Sequence, residues 1–186
     1  MISFFEKYKI DLLKLLESVS QESQHKCSEV FKKSSRNKKK IIFLGNGGSA
    51  ATCSHIATDL TKNAKIKSIN FNDASLITCL ANDYGHDKWM KEALKNYSEK
   101  GDCVVIISAS GESKNVINAA KWAQKNKIQI ITFTGMKQSN KLKMINKNGI
   151  NFWINSKGYN LIEALHFIIL CGIIDYIIGR VVYKSS

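Results

Sequence analysis

Four short stretches of this 186-residue chain carry side chains suited to chemistry. His55 and Asp59 stand four residues apart, a spacing that puts both on one face of a helix. Such a pair is either a surface hydrogen bond or part of a proton-transfer or metal site. Glu163 and His166 form a Glu-x-x-His arrangement of the kind helices use to hold metals, and a buried core histidine is the plainer reading of His166. Ser108-Ala109-Ser110-Gly111-Glu112-Ser113 offers three hydroxyls in one short stretch, either helix caps or converging donors to an anion. Gly45-Asn46-Gly47-Gly48-Ser49 lets backbone amides approach a ligand closely, because glycine has no Cβ. It lacks the Gly-Lys-Ser/Thr close of a P-loop, and Ala50 stands where a dinucleotide fingerprint has its third glycine.

Each loop joins an apolar run to a helical pattern. Ile41–Leu44 runs into the glycine stretch and then a helix over Ala50–Lys62; Val104–Ile107 runs into the serine stretch and then a helix near Lys114–Asn126. All-apolar runs of this length fit strands covered on both faces. Further strands are expected over Ile66–Phe71, Ile128–Phe133 and Asn151–Ile154, with helices near Ser75–Ala81 and Trp89–Tyr97. The alternation predicts an α/β fold: a doubly wound, mainly parallel five-stranded sheet behind an N-terminal helical segment. One domain is expected over 1–186, with N-terminal helices in 1–37 and the sheet with its flanking helices in 41–180. Lys32–Lys40 reads as a solvated connector. In such a sheet both special loops fall at carboxyl ends of strands, where ligands bind, and the helix after each contributes unpaired N–H groups to an anion.

The formal charge of +13 is nearly all lysine, since Arg36 and Arg180 are the two arginines. Base and phosphate-fork recognition favours arginine, so a lysine-covered surface that steers anionic substrates is expected rather than a nucleic-acid partner. Five scattered cysteines without a CxxC pair read as free thiols, and the first residues lack the apolar stretch of a signal peptide; a cytoplasmic protein is expected. The apolar segment Leu161–Ile178 contains Glu163, His166 and Asp175, and its longest unbroken apolar run is Phe167–Ile174. That is too short for a bilayer, so a buried helix with no membrane partner is expected. Because it is apolar around most of its circumference, subunit association is expected to cover part of it.

The order GNGGSAA…H, ANDYG, SASGES and GYNLIEALH resembles the SIS domain, and within it the phosphoheptose isomerase family, along almost the whole chain. The resemblance implies an aldose–ketose isomerase acting on sedoheptulose 7-phosphate and feeding heptose to surface polysaccharides. It implies a homotetramer with active sites built at subunit contacts, and usually a zinc ion. Ser49, Ser108, Ser110 and Ser113 match the family's phosphate-binding serines. Asn46, with its neighbour Gly47, and Asp83 match polar positions lining the sugar site.

At the catalytic positions the chain departs from the family. Where the family has His and Glu, then Gln and His eight residues apart on the final helix, this chain has His55, Asp59, Glu163 and Cys171. Asp59 is taken as the base, as the carboxylate on the helix face beside the glycine loop, or as a metal-bound carboxylate. Glu163 is the complementary acid or base, and His55, Asp59 and Glu163 are the candidate zinc ligands. Eight helical residues rise about 12 Å, so Glu163 and Cys171 would barely meet on one ion, and Cys171 reads as a packed thiol. Two other readings stand beside the heptose one: an isomerase of a different sugar phosphate, and a non-catalytic sugar-phosphate-binding or scaffold protein that has lost part of the catalytic set.

Overall fold

A computed structural model describes residues 2–182. Two helices come first, α1 (Phe4–Glu17) and α2 (Gln21–Arg36), each opened by a serine whose hydroxyl accepts a first-turn N–H. The N-terminal segment is therefore a helical pair. Lys32–Lys40 is a connector only after Arg36: α2 continues through the lysines because Phe31 and Ser34 are buried beneath it.

Five strands follow: β1 (Ile41–Leu44), β2 (Ser68–Asn70), β3 (Cys103–Ser108), β4 (Gln129–Gly135) and β5 (Ile150–Ile154). All neighbours pair in parallel in the order β2-β1-β3-β4-β5. The helices between and after them are α3 (Gly47–Lys62), α4 (Ala74–Tyr84), α5 (Trp89–Tyr97), α6 (Lys114–Lys125), α7 (Lys141–Ile145) and α8 (Tyr159–Ile178). The short α7 has no counterpart among the expected elements, and the second strand is shorter than the expected Ile66–Phe71.

Side chains alternate across each strand, which splits the interior into two cores. Ile41, Phe43, Val105, Ile107, Ile131 and Phe133 face α2, α3 and α8. Ile42, Leu44, Val104, Ile106 and Ile130 face α4, α5, α6 and α7. Helices on both faces of a parallel sheet are the doubly wound arrangement expected.

The strand order reverses direction between β1 and β3. That switch point is where the crossovers leave on opposite faces and open a crevice at the carboxyl edge. The glycine and serine loops follow these two adjacent strands, so the topology itself sets them side by side.

The final helix packs Ile162, Leu165, Ile169, Leu170, Ile173 and Ile174 into the first core. By length and composition α8 could cross a membrane, but here it closes one side of the sheet. Its outer face keeps Tyr159, Ile168 and Tyr176 exposed, next to α1, which buries no residue fully and exposes Phe4, Phe5 and Leu13.

Candidate active site

The serine loop is held from three directions. Gly111 turns it with φ +65°, and a Cβ there would run into the side-chain amide of Asn140. Asn140 is fully buried; its carbonyl oxygen accepts the Lys143 N–H at 2.9 Å and its amide donates to the Lys137 carbonyl at 2.9 Å. The Leu142 N–H donates to the Gly111 carbonyl at 3.0 Å, so α7 serves as a backstop for the loop.

The hydroxyl oxygens of Ser108 and Ser110 accept the N–H groups of Gly111 and Glu112, each at 3.2 Å. Accepting leaves each hydroxyl proton free to donate outward. Ser113 occupies the N-cap of α6, yet its hydroxyl makes no capping bond. It too remains available, beside the partial positive charge of the α6 N-terminus.

The glycine loop is shorter than its sequence suggests. The helix expected from Ala50 begins at Gly47, with φ +54° at that residue, so Gly47, Gly48 and Ser49 form the first turn of α3. Glycine's poor helix propensity hides this start from a sequence reading. Ser49 is buried. Asn46 caps the helix without a side-chain capping bond, because both ends of its amide are engaged elsewhere. Its Nδ2 donates to Asn115 Oδ1 at 3.0 Å, and Asn115 Nδ2 donates back to Asn46 Oδ1 at 2.9 Å.

Glu163 lies directly against this first turn. A Cβ at Gly48 would collide with its carboxylate, so only glycine leaves the space it occupies. Asp59, expected beside the glycine loop, is elsewhere. It stands eleven residues beyond Gly48, about 16 Å along the helix axis. There it meets His55, with Nε2 and Oδ2 3.3 Å apart, and accepts from Asn63 Nδ2 at 3.3 Å. The His55 ring stands edge-on to Phe167 of α8, their centroids 4.9 Å apart.

Cys171, on α8, lies near enough to Asp59 and Asp175 to feel their charge. Burial first, then the charges of Asp59 and Asp175, push its thiol up to about 11, so the free thiol stays protonated at physiological pH. Among the described residues no three acidic, histidine or cysteine side chains gather as metal ligands. His55 and Asp59 meet and Glu163 does not join them, so the three candidate ligands as placed do not fit one zinc ion.

His166 is a core residue. It is fully buried, its Nε2 lies 3.1 Å from the Thr134 carbonyl, and its ring stands edge-on to Phe133. Burial lowers its pKa to about 4, so it is neutral at physiological pH, with Nε2 donating to Thr134. It faces the sheet rather than Glu163's crevice. Asp83 lies exposed near the end of α4, accepting from Asn82 Nδ2 at 3.0 Å; among the described residues it makes no hydrogen bond to either loop.

Sequence reasoning missed Asn115 and Asn140. Both are buried amides next to a loop, and an asparagine two residues beyond a helix-opening serine is the signal that pointed to the first.

Paired ligand loops at the switch point of a parallel sheet, with a carboxylate against one of them, define an α/β domain built to hold a small anion and act on it. The chain belongs to the SIS domain family, whose family model matches residues 4–135, and within it to the phosphoheptose isomerase family. It is 33% identical over 184 residues to the phosphoheptose isomerase of Aliarcobacter butzleri, covering 94% of this chain and 95% of that one. It is 34% identical to that of Thermodesulfovibrio yellowstonii, over 83% of this chain and 80% of the relative. The structure of phosphoheptose isomerase from Neisseria gonorrhoeae superposes with a TM-score of 0.85 at 27% identity, over 92% of this chain and 94% of that one. The corresponding structure from Francisella tularensis gives 0.86 at 21% identity, which speaks to the fold alone.

Proposed function

We propose that this chain interconverts sedoheptulose 7-phosphate and D-glycero-D-manno-heptose 7-phosphate, an aldose–ketose isomerisation supplying heptose for surface polysaccharide. The observation that carries the reading is the seating of Glu163 against the first turn of α3, one loop away from three outward-donating serines. A carboxylate at the α3 N-terminus repels a phosphate placed there. The dianion therefore belongs at Ser108, Ser110, Ser113 and the α6 N-terminus, and the sugar's carbonyl end lies toward Glu163.

With the substrate so placed, Glu163 takes the proton from C1 of the ketose. The C1–H electron pair forms the C1–C2 double bond of an enediol while the C2–O2 π pair moves onto oxygen. A proton passes from O1 to O2, the C1–O1 double bond forms, and protonated Glu163, which exchanges with solvent in the enediol state, returns a proton to C2. Unpaired N–H groups of α3's first turn stabilise the negative charge developing on oxygen. Asp59 lies too far along α3 to serve this substrate from the same chain, since a heptose backbone of C–C bonds near 1.5 Å spans only about 8 Å. It serves a second chain's site instead, across the open α3–α8 face in a cytoplasmic homotetramer. His55 orients it.

The test is proton exchange. The purified chain, saturated with sedoheptulose 7-phosphate in deuterium oxide, is expected to place deuterium on the carbon next to the carbonyl. Absence of exchange, with or without added zinc, would overturn the isomerase reading. Phosphate affinity without exchange would leave a sugar-phosphate-binding protein.

A further inference from the structure

The two ligand loops come from strands whose sequences lie some 60 residues apart, and one side chain bridges them. Asn115 is 2% exposed, on the first turn of α6. Its Oδ1 accepts from Asn46 Nδ2 at 3.0 Å and from the Val116 N–H at 3.0 Å, and its Nδ2 donates to Asn46 Oδ1 at 2.9 Å. The reciprocal pair sets the angle at which the first turns of α3 and α6 converge. It also occupies a bond at each end of the Asn46 amide, leaving one N–H and one lone pair for a ligand.

We infer that Asn115 is a positioning residue that joins the two loops into one ligand seat, acting through Asn46 and never touching the substrate's reacting atoms. By accepting the Val116 N–H itself, Asn115 also leaves the Ser113 hydroxyl free of its usual capping duty. A buried amide paired at both ends is costly to disturb, because removing one partner strands the other. The inference rests on the reading that these loops hold a sugar phosphate, so the experiment uses two probes.

Binding of inorganic phosphate and of sedoheptulose 7-phosphate is measured by calorimetry for the wild type, Asn46→Ala, Asn115→Ala and the double variant. Each single variant is expected to weaken both ligands roughly tenfold, and the second substitution to add less than twofold once the first is present. Effects that multiply independently, or an unchanged affinity in Asn115→Ala, overturn the coupling. Wild-type binding of phosphate but not of the heptulose phosphate would defeat the proposed substrate while the coupling is still read from phosphate. No binding of either probe defeats both.

Asn115→Asp guards against a folding defect, because the substituted carboxylate keeps both accepted hydrogen bonds. It loses the bond to Asn46 Oδ1 and sets a charge behind the anion seat. Its affinity, relative to wild type at the same pH, should recover as the pH falls and that carboxyl regains a proton to donate. A purely structural role predicts no such recovery, and its absence would also overturn the proposal.

Discussion

The serine loop and the His55–Asp59 face of α3 are both candidate functional regions, and they are built in opposite ways. The loop is braced by Asn140, by the Leu142 N–H and by the Asn46–Asn115 pair, with every partner inside the same chain. His55 and Asp59 hold each other and Asn63, the His55 side chain is 55% exposed, and the ring next to it belongs to an apolar helix with an uncovered side. One region is braced within the chain; the other lies on an exposed face beside an apolar helix. On the proposed function, the phosphate seat and Glu163 come from one chain, and Asp59 reaches a substrate only from a second.

The sharpest way to break that contrast is mixing. Glu163→Gln and Asp59→Asn should each lower turnover by about 10²–10⁴-fold while leaving phosphate affinity close to wild type. A Ser110→Ala/Ser113→Ala chain should be inactive for lack of a phosphate seat. Mixed with Asp59→Asn it should regain isomerase activity, because intact loops on one chain meet an intact Asp59 on another. Mixed with Glu163→Gln it should regain nothing, since Glu163 and the loops share a chain. Recovery in the second mixture, or its absence in the first, reverses the assignment of the two carboxylates.

The serine pair gives the next largest effect. Its loss removes two donors to a charged acceptor, each worth about 1.5–3 kcal/mol, so affinity for sedoheptulose 7-phosphate should fall at least roughly a hundredfold. The melting temperature should stay near wild type, because the bracing bonds come from Asn140 and Leu142.

A smaller effect probes the in-chain region through α8. His166 titrates near 4 when folded and near 6.5 when unfolded, so between those values the unfolded chain takes up a proton the folded chain refuses. Stability is full above about pH 6.5 and should be lower by about 2 kcal/mol at pH 5, with His166→Leu flattening that acid limb in denaturant titrations. An unchanged slope would mean that the ring is more open to water than its packing against Phe133 indicates.

How legible these regions were in the sequence follows from the same contrast. Strands buried on both faces, such as β1 and β3, are written as unbroken apolar runs and could be located directly, while the half-buried Ser68–Asn70 strand was found only to within a few residues. The two loops announced themselves by glycine and serine. Lys32–Arg36 misled because a helix facing neighbours through Phe31 and Ser34 keeps its lysines outside, and charge alone looks like a loop. The start of α3 was hidden by glycines that disfavour helix yet leave room for Glu163. Asp59 was placed by the helix face it shares with His55, although its rise along α3 sets it about 16 Å beyond Gly48. Asn115 escaped because a single asparagine near a helix start looks like ordinary turn chemistry until its partner on another strand is seen.

The position of α8 after all five strands has a consequence for how the protein is made. No two sequential strands form a hairpin, so every pairing in the sheet waits for a crossover, and β1 gains its central neighbour only after residue 103 is synthesised. The first core, with Phe133 among its residues, is then still open on one side, because α8, which helps cover it, begins at Tyr159. A nascent chain cannot close its first core until α8 has left the ribosome. Truncation within α8 should thus leave an aggregating species rather than a smaller working domain, and folding should be slow for a chain of this size.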